Sequence, residues 1–80
     1  MAKRKQYILR NRYHRGNYVH FVIFSSVSTN FSKDANIDDY GDTDNINLAM
    51  RCSEKRANAI SSMIYDSFGD TFDPVEEGRL

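Results

Sequence analysis

The sequence predicts an α+β fold in which a three-stranded antiparallel β-meander carries one carboxy-terminal helix on one face (β-β-β-α). Two stretches near the amino terminus, 6–13 and 18–27, are rich in aromatic and β-branched residues and are separated by a short turn. A third stretch, 46–52, alternates apolar and polar residues, as a half-buried strand does. Apolar residues then recur at helical spacing between 57 and 68.

The first two predicted strands form a hairpin around a turn at 14–17. Side chains alternate along a strand, so Tyr7 and Leu9 share one face of the first strand while Ile8 lies on the other. The second stretch, 18–27, is apolar on both faces, which is typical of a central strand that is covered on both sides. We therefore expect this strand in the middle of the sheet.

Residues 28–45 are polar and lack a clear period, so we expect an acidic loop between the second and third strands. A loop this long is uncommon in a small domain and is usually functional or disordered. The chain then enters the alternating stretch 46–52, which we expect to be the third strand.

The predicted helix begins after Ser53, whose side chain can accept a hydrogen bond from an unpaired N–H of the first turn. A core stripe follows at helical spacing; its members are Ala57, Ile60, Ile64 and Phe68. Gly69 suits the position that ends a helix, because glycine adopts left-handed backbone angles without strain. Residues 70–80 are expected to form an acidic tail, with Pro74 preventing any continuation of the helix.

The length of 80 residues predicts a single domain, 1–80, with a small core. Charge is sorted along this domain. Residues 1–33 carry seven basic residues and no acid, and residues 34–80 carry eleven acids and four basic residues, so the two parts sum to +7 and −7. Local fields act even when the total charge cancels, so the sorting points to steering toward a charged partner.

Several function classes lack their signatures in this sequence. The histidines and the single Cys52 do not form the paired ligand spacing of a zinc site. Placing Gly41 at the sixth position of a calcium loop leaves key carboxylates missing. No nucleophile elbow or glycine-rich phosphate loop is present. We therefore expect no enzyme activity, no cofactor and no metal, and we expect Cys52 to be a small core residue.

The composition and charge of the chain also bear on where the protein acts. The longest apolar run, 21–24, is too short to span a bilayer, and the basic start is not followed by the apolar stretch of a secretory signal. A lone thiol suits a reducing compartment. We expect no membrane association and a location in the cytoplasm of a host cell.

Three surfaces are candidate binding sites. A basic sheet face that can grip phosphates and stack on bases is expected from Arg10, Arg12, Tyr18, His20, Asn47 and Arg51. An acidic loop that can imitate phosphate charge is expected from Asp34, Asp38, Asp39, Asp42 and Asp44. An apolar patch on an uncovered face, suited to a partner or a homodimer, is expected from Ile8, Val22 and Phe24.

The junction between the third strand and the helix resembles the amino-terminal DNA-binding domain of tyrosine recombinases, a three-stranded sheet plus helix. Ser53 stands at that family's Thr position, and Ala57 and Ile60 match later positions of its pattern. Arg51 replaces the aromatic residue and Arg56 the Glu, and the resemblance covers about ten residues. It implies a DNA-binding module that reads through its sheet face.

Short length, a complete domain and polarised charge together resemble, in style, the small proteins that bacteriophages make to disable host machinery, including anti-CRISPR proteins. No diagnostic motif carries this resemblance. It implies a stoichiometric inhibitor that binds a host protein or ribonucleoprotein complex. The sequence therefore favours a phage-type inhibitor acting by protein–protein contact, with a sheet-face DNA-binding module as the alternative.

Overall fold

The fold is a four-stranded antiparallel sheet with one helix, in a computed structural model that describes residues 5–24 and 37–79. The strands are β1 (Tyr7–Asn11), β2 (Tyr18–Phe24), β3 (Ile37–Thr43) and β4 (Phe72–Glu76), and the helix α1 (Glu54–Phe68) lies between β3 and β4 in the chain. Short 3₁₀ helices occur at Ile46–Leu48 and Glu77–Arg79. The strand order is β3-β2-β1-β4. The expected α+β class is confirmed, but the sheet has four strands, not three.

The helix forms where the sequence predicts it, but Phe68, the last residue of the predicted core stripe, is 40% exposed and lies outside the core cluster. Ser53 caps its amino terminus by accepting a hydrogen bond from the backbone N–H of Arg56 at 3.3 Å. Gly69 ends it with a left-handed φ of 76°. The face that α1 turns to the sheet buries Ala57, Ile60 and Ile64 completely. Capping and apolar periodicity are local signals, so the sequence alone was sufficient to locate this element.

The core lies between α1 and one face of the sheet. Leu9 of β1 and Val19 of β2 are fully buried there, and Phe72 of β4 is 1% exposed. Together with the buried residues of α1, they form one hydrophobic cluster that also includes Ile37 and Cys52. The core therefore draws on all four strands, including the two that the sequence did not predict.

The predicted third strand at 46–52 is wrong. Ile46–Leu48 is a 3₁₀ helix, capped by Asn45, and the true β3 is Ile37–Thr43 within the expected acidic loop. β3 is an edge strand, and charged residues on an edge are tolerated because they keep other chains from pairing there. Because aspartate and glycine are rare in strands, the residue types of 37–43 did not predict a strand there.

The alternating pattern of 46–52 nevertheless has a structural cause. β1 and β2 pair with each other at Arg10 and Tyr18. Past this pair, the segment around residue 50 forms backbone hydrogen bonds to both strands. Met50 donates its N–H to the carbonyl of Val19 at 2.9 Å. Cys52 and Tyr7 exchange two backbone hydrogen bonds at 2.7 and 3.0 Å. The segment thus bridges the two strands without forming a strand of its own.

Part of the expected acidic tail is also a strand. β4 pairs antiparallel with β1 along its whole length, from Phe72 opposite Asn11 to Glu76 opposite Tyr7. Pro74 is accommodated because β4 is an edge strand, where a missing N–H need not break the ladder. The proline that was expected to prevent continuation of the helix therefore does not exclude a strand.

An irregularity in β2 reverses the expected direction of its side chains. The register with β3 shifts between Val19 and Phe21, which is the position of a β-bulge. Val19 faces the core, and Val22 also packs against it, whereas Phe21 and Ile23 are 45% and 48% exposed. Simple alternation from Val19 would place Phe21 and Ile23 on the core face beneath α1, but one extra residue in the strand exchanges its faces.

Candidate binding surfaces

Arg12 from the expected basic face is held by an acid of β4. Its Nε lies 3.2 Å from Oδ2 of Asp73 and its Nη2 lies 2.8 Å from Oδ1, which is a two-pronged ion pair. This hydrogen bonding lowers the pKa of the Asp73 carboxyl and raises the pKa of Arg12. Two-pronged pairs have a defined geometry, so Arg12 is oriented toward β4 in the folded chain.

Arg51 is held in a similar way by the carboxy-terminal part of the chain. Its Nε donates to Oε1 of Glu77 at 2.9 Å. Its Nη1 donates to the carbonyl oxygens of Ala49 at 2.8 Å and Ile46 at 3.2 Å. The Arg51 guanidinium therefore links the segment 46–52 to the residue that follows β4, and three of its N–H donors form hydrogen bonds.

A third contact of this kind links the two ends of the chain. Lys5 Nζ lies 3.9 Å from Glu76 Oε1, beside the β1–β4 pairing. Arg12–Asp73 also joins the region of β1 to β4. The fold thus partly neutralises the opposite charges of the two ends of the sequence, because basic residues near β1 form ion pairs with acids of β4.

The remaining residues of the expected basic face lie on three different elements, β1, β2 and the 3₁₀ helix at Ile46–Leu48. Arg10 and Tyr18 are cross-strand partners on β1 and β2. His20 is exposed, and its Nδ1 lies 2.7 Å from the carbonyl oxygen of Leu48. Asn47 is exposed on the 3₁₀ helix. The expected face assumed that 46–52 was a strand beside β2, and this assumption is wrong.

The acidic residues of the expected loop follow one edge of the sheet. Asp38, Asp39 and Asp42 lie on β3, Asp44 follows it, and all four are exposed. Within residues 5–24 and 37–79, none of these four carboxylates forms an ion pair. Asp34 lies outside the described residues. We call Asp38, Asp39, Asp42 and Asp44 the acidic edge.

Two contacts tie β3 to its surroundings. The amide of Asn17, in the hairpin turn, donates to Oδ2 of Asp42 at 2.6 Å. The hydroxyl of Tyr40 donates to the carboxylate of Asp70, just after α1. Burial, followed by the nearby Asp70, raises the pKa of Tyr40. The Tyr40 ring also packs edge-on against Phe72, with ring centres 5.6 Å apart. Sequence reasoning missed this anchor because it left residue 40 in a loop.

The expected apolar patch is not an exposed surface. Ile8 is fully buried, and Val22 and Phe24 pack against the core cluster. The exposed apolar residues of this region are instead Phe21, Ile23 and Leu48, which we call the apolar patch from here on. A bulge in β2 exchanged the faces, and nothing in the residue types marks its position.

The Phe21 ring is held in place by its neighbours. It lies directly over Gly41 of β3, where a Cβ atom would collide with the ring. The His20 ring packs edge-on against it, with ring centres 5.4 Å apart. His20 is in turn hydrogen-bonded to the backbone carbonyl of Leu48. A glycine within a strand often marks such a close approach.

A shallow polar groove of about 440 Å³ lies on the other side of the molecule, between α1 and the end of β1. Its lining includes the exposed rings of Tyr13 and Tyr65. Within it, Ser61 donates its hydroxyl to the backbone carbonyl of Phe72 at 2.5 Å, a contact that joins α1 to β4. We assign this hydroxyl a structural role.

Cys52 lies in the core cluster, where burial raises the pKa of its thiol. Among the described residues, no three His, Cys, Asp or Glu side chains lie close enough to hold a metal ion. No helix within that same part of the chain has the length and apolar character needed to cross a membrane. Comparison of the chain with protein families, with curated proteins and with solved structures found no match.

Proposed function

We propose that this protein is a small non-enzymatic binding protein that docks its acidic edge on a basic surface of a nucleic-acid-handling protein and blocks it stoichiometrically. The observation that carries this proposal is an imbalance in ion pairing. Arg12 and Arg51 are paired with acids of the same chain, whereas the acidic edge has no ion-pair partner among the described residues. The acidic edge is therefore a negatively charged surface whose carboxylates are available to a partner.

The geometry of β3 suits this role. An extended strand places successive residues about 3.3 Å apart and points their side chains to alternate sides, so the acidic edge carries negative charge along its length on both sides of the sheet. A row of negative charge resembles a nucleic-acid backbone to a basic surface. Electrostatic complementarity of this kind raises association rates and excludes acidic partners. A phage-type inhibitor of a host defence complex fits this description.

The alternative, a sheet-face DNA-binding module, has less support. A DNA reader needs guanidinium groups that are available to phosphates or base edges. Two of the three arginines expected for that role, Arg12 and Arg51, already donate to Asp73 and Glu77. Binding DNA would require these pairs to open, and the acidic edge would repel the phosphates.

Affinity capture tests the proposal. The immobilised protein is exposed to a bacterial lysate with and without nuclease, and the captured proteins are purified and tested for direct binding. We expect a basic protein that stays bound after nuclease treatment and is released by salt. The variant Asp38→Asn, Asp39→Asn, Asp42→Asn, Asp44→Asn should lose this protein, whereas Asp66→Asn, an exposed acid on α1, should retain it.

Two outcomes would refute the proposal. One is that every captured protein is lost on nuclease treatment while the purified protein binds duplex DNA, which would favour the DNA-binding alternative. The other is that the four-site variant, shown by thermal melting to be folded, binds the purified partner as tightly as the original protein.

A further inference from the structure

We propose that the apolar patch is the centre of the docking surface, that Phe21 is its preorganised anchor, and that the partner presents an apolar site surrounded by Lys or Arg. This inference rests on the proposed function and specifies the chemistry of the partner. It concerns the face of the sheet that α1 does not cover.

The direction of the side chains places the patch on that face. Val22 packs against the core, and successive side chains of a strand point to opposite sides, so Phe21 and Ile23 point away from α1. Both are about half exposed, as is Leu48 at 51%. Scattered exposed apolar residues are ordinary, but Phe21 and Ile23 are neighbours on one face of β2, and His20 links this strand to Leu48 by contacting the Phe21 ring and the Leu48 carbonyl.

Phe21 has the properties of an interface anchor. Aromatic residues at the centre of an interface often carry a large share of the binding energy. Binding costs less when such a side chain is already ordered, because less rotamer freedom is lost on association. The Phe21 ring packs against the backbone of Gly41, which has no side chain to displace it, and the His20 ring packs against the Phe21 ring. The fold thus holds the ring in one place while leaving nearly half of it exposed.

Charge next to the patch selects the kind of partner. Asp39 is the cross-strand neighbour of Ile23 and lies beside the patch. An interface with an apolar centre and a charged rim is the usual anatomy of a protein–protein contact. Here the rim beside β3 is negative, so a complementary partner carries Lys or Arg around its apolar site.

The same charges argue against a second copy of this chain as the occupant. In a two-fold symmetric dimer the same patch meets itself, so the aspartates of the two copies would face each other across the rim. Like charges in close contact oppose association. A basic partner therefore complements the negative charge at the edge of the patch, whereas a second copy of this chain would repel it.

The test uses a defined probe, a synthetic amphipathic helix of leucine and lysine, with the same helix carrying glutamate in place of lysine as the control. Binding is followed by nuclear magnetic resonance of the intact protein. We expect the lysine helix to bind at least about tenfold more tightly than the glutamate helix. The amide signals that shift should be those around Phe21, Ile23 and Leu48.

Matched variants then distinguish specific binding at the apolar patch from non-specific hydrophobic binding elsewhere on the surface. Phe21→Ala should weaken binding of the lysine helix about tenfold, whereas Tyr65→Ala, which removes an exposed ring on α1, should leave it unchanged. Gly41→Ala should weaken binding severalfold, because a Cβ there must displace the Phe21 ring. Gly16→Ala is the control, since nothing lies within 4 Å of a Cβ at that position.

The inference fails if the two helices bind equally, if the shifted amides lie elsewhere, or if Phe21→Ala has no effect. It also fails if sedimentation shows a dimer that Phe21→Ala abolishes, since the occupant would then be a second copy. The proposed function is tested separately. If the partner captured through the acidic edge binds Phe21→Ala and the original protein equally, the function stands and the anchor is wrong.

Discussion

At the scale of single residues, burial in the core cluster should dominate stability. Ile64 is fully buried, so Ile64→Ala should lower the free energy of unfolding by about 2–4 kcal/mol, through lost burial and a residual cavity. Ile23→Ala is the control, because the same change at a residue that is 48% exposed should cost much less. Chemical denaturation measures both. Equal effects would show that the assigned register of α1 is wrong.

The Cys52 thiol offers a pH-dependent test. Burial raises its pKa in the folded state, so the neutral thiol contributes stability that is fully present below the ordinary pKa and is lost as pH rises through the raised value. The stability difference between the original protein and Cys52→Ala should therefore shrink between pH 8 and pH 11. Thermal melts across that range measure it. Rapid reaction of the native thiol with a labelling reagent at pH 7 would contradict the buried position.

Asp73 predicts the opposite pH response. Its hydrogen bond from Arg12 lowers the carboxyl pKa, so its contribution to stability is present above the ordinary pKa of Asp and is lost as pH falls through the lowered value. The original protein should be more stable than Asp73→Asn at pH 6, and the difference should vanish at pH 2. The effect is small because the pair is exposed to solvent. A difference that persists unchanged at pH 2 would exclude the ion pair as its cause.

At the scale of elements, local signals were reliable and long-range pairing was not. The cap at Ser53 and the glycine at Gly69 define α1 from within the chain. β4 has no comparable signal, since Pro74 and flanking acids are poor strand formers, and it forms because β1 offers an unpaired edge. The acidic edge was predicted as a group of residues but not as a strand. The patch around Phe21 could not be predicted, because a bulge decided its direction.

The role of β4 can be tested by truncation. Ending the chain after Asp70 removes Phe72 from the core and the pairing partner of β1, so cooperative folding should be lost. Ending it after Glu77 keeps β4 and the bond to Arg51 and should preserve folding. Circular dichroism and thermal melting distinguish the two. If the chain ending after Asp70 melts like the original, β4 contributes little to stability, as would be expected of an unstructured acidic tail.

At the scale of the whole molecule, internal ion pairs should suppress binding to nucleic acid. The original protein should show at most weak binding to duplex DNA near physiological salt. The double change Asp73→Asn, Glu77→Gln releases Arg12 and Arg51 from their partners and should increase DNA binding in a salt-dependent way. The control Glu54→Gln, Asp66→Asn makes the same change in net charge on α1 and should increase it less.

An electrophoretic shift measures this prediction. Submicromolar binding of the original protein to a duplex near physiological salt would contradict it. If that binding is also lost in Arg10→Ala, Arg12→Ala, Arg51→Ala, the sheet-face reading of DNA would become the leading hypothesis. Equal gains in the two charge variants would show that total charge, and not the release of particular arginines, controls the interaction.

The pairing of β1 with β4 determines when the sheet can be completed during synthesis. Arg12 and its partner Asp73 are separated by 61 positions, and at about 5–20 residues per second the ribosome takes several seconds to make that interval. Until then the apolar residues of β1 have no neighbour on that side, which leaves them accessible to chaperones and proteases. Slowing translation within this interval should therefore lower the yield of folded protein without altering its folded state.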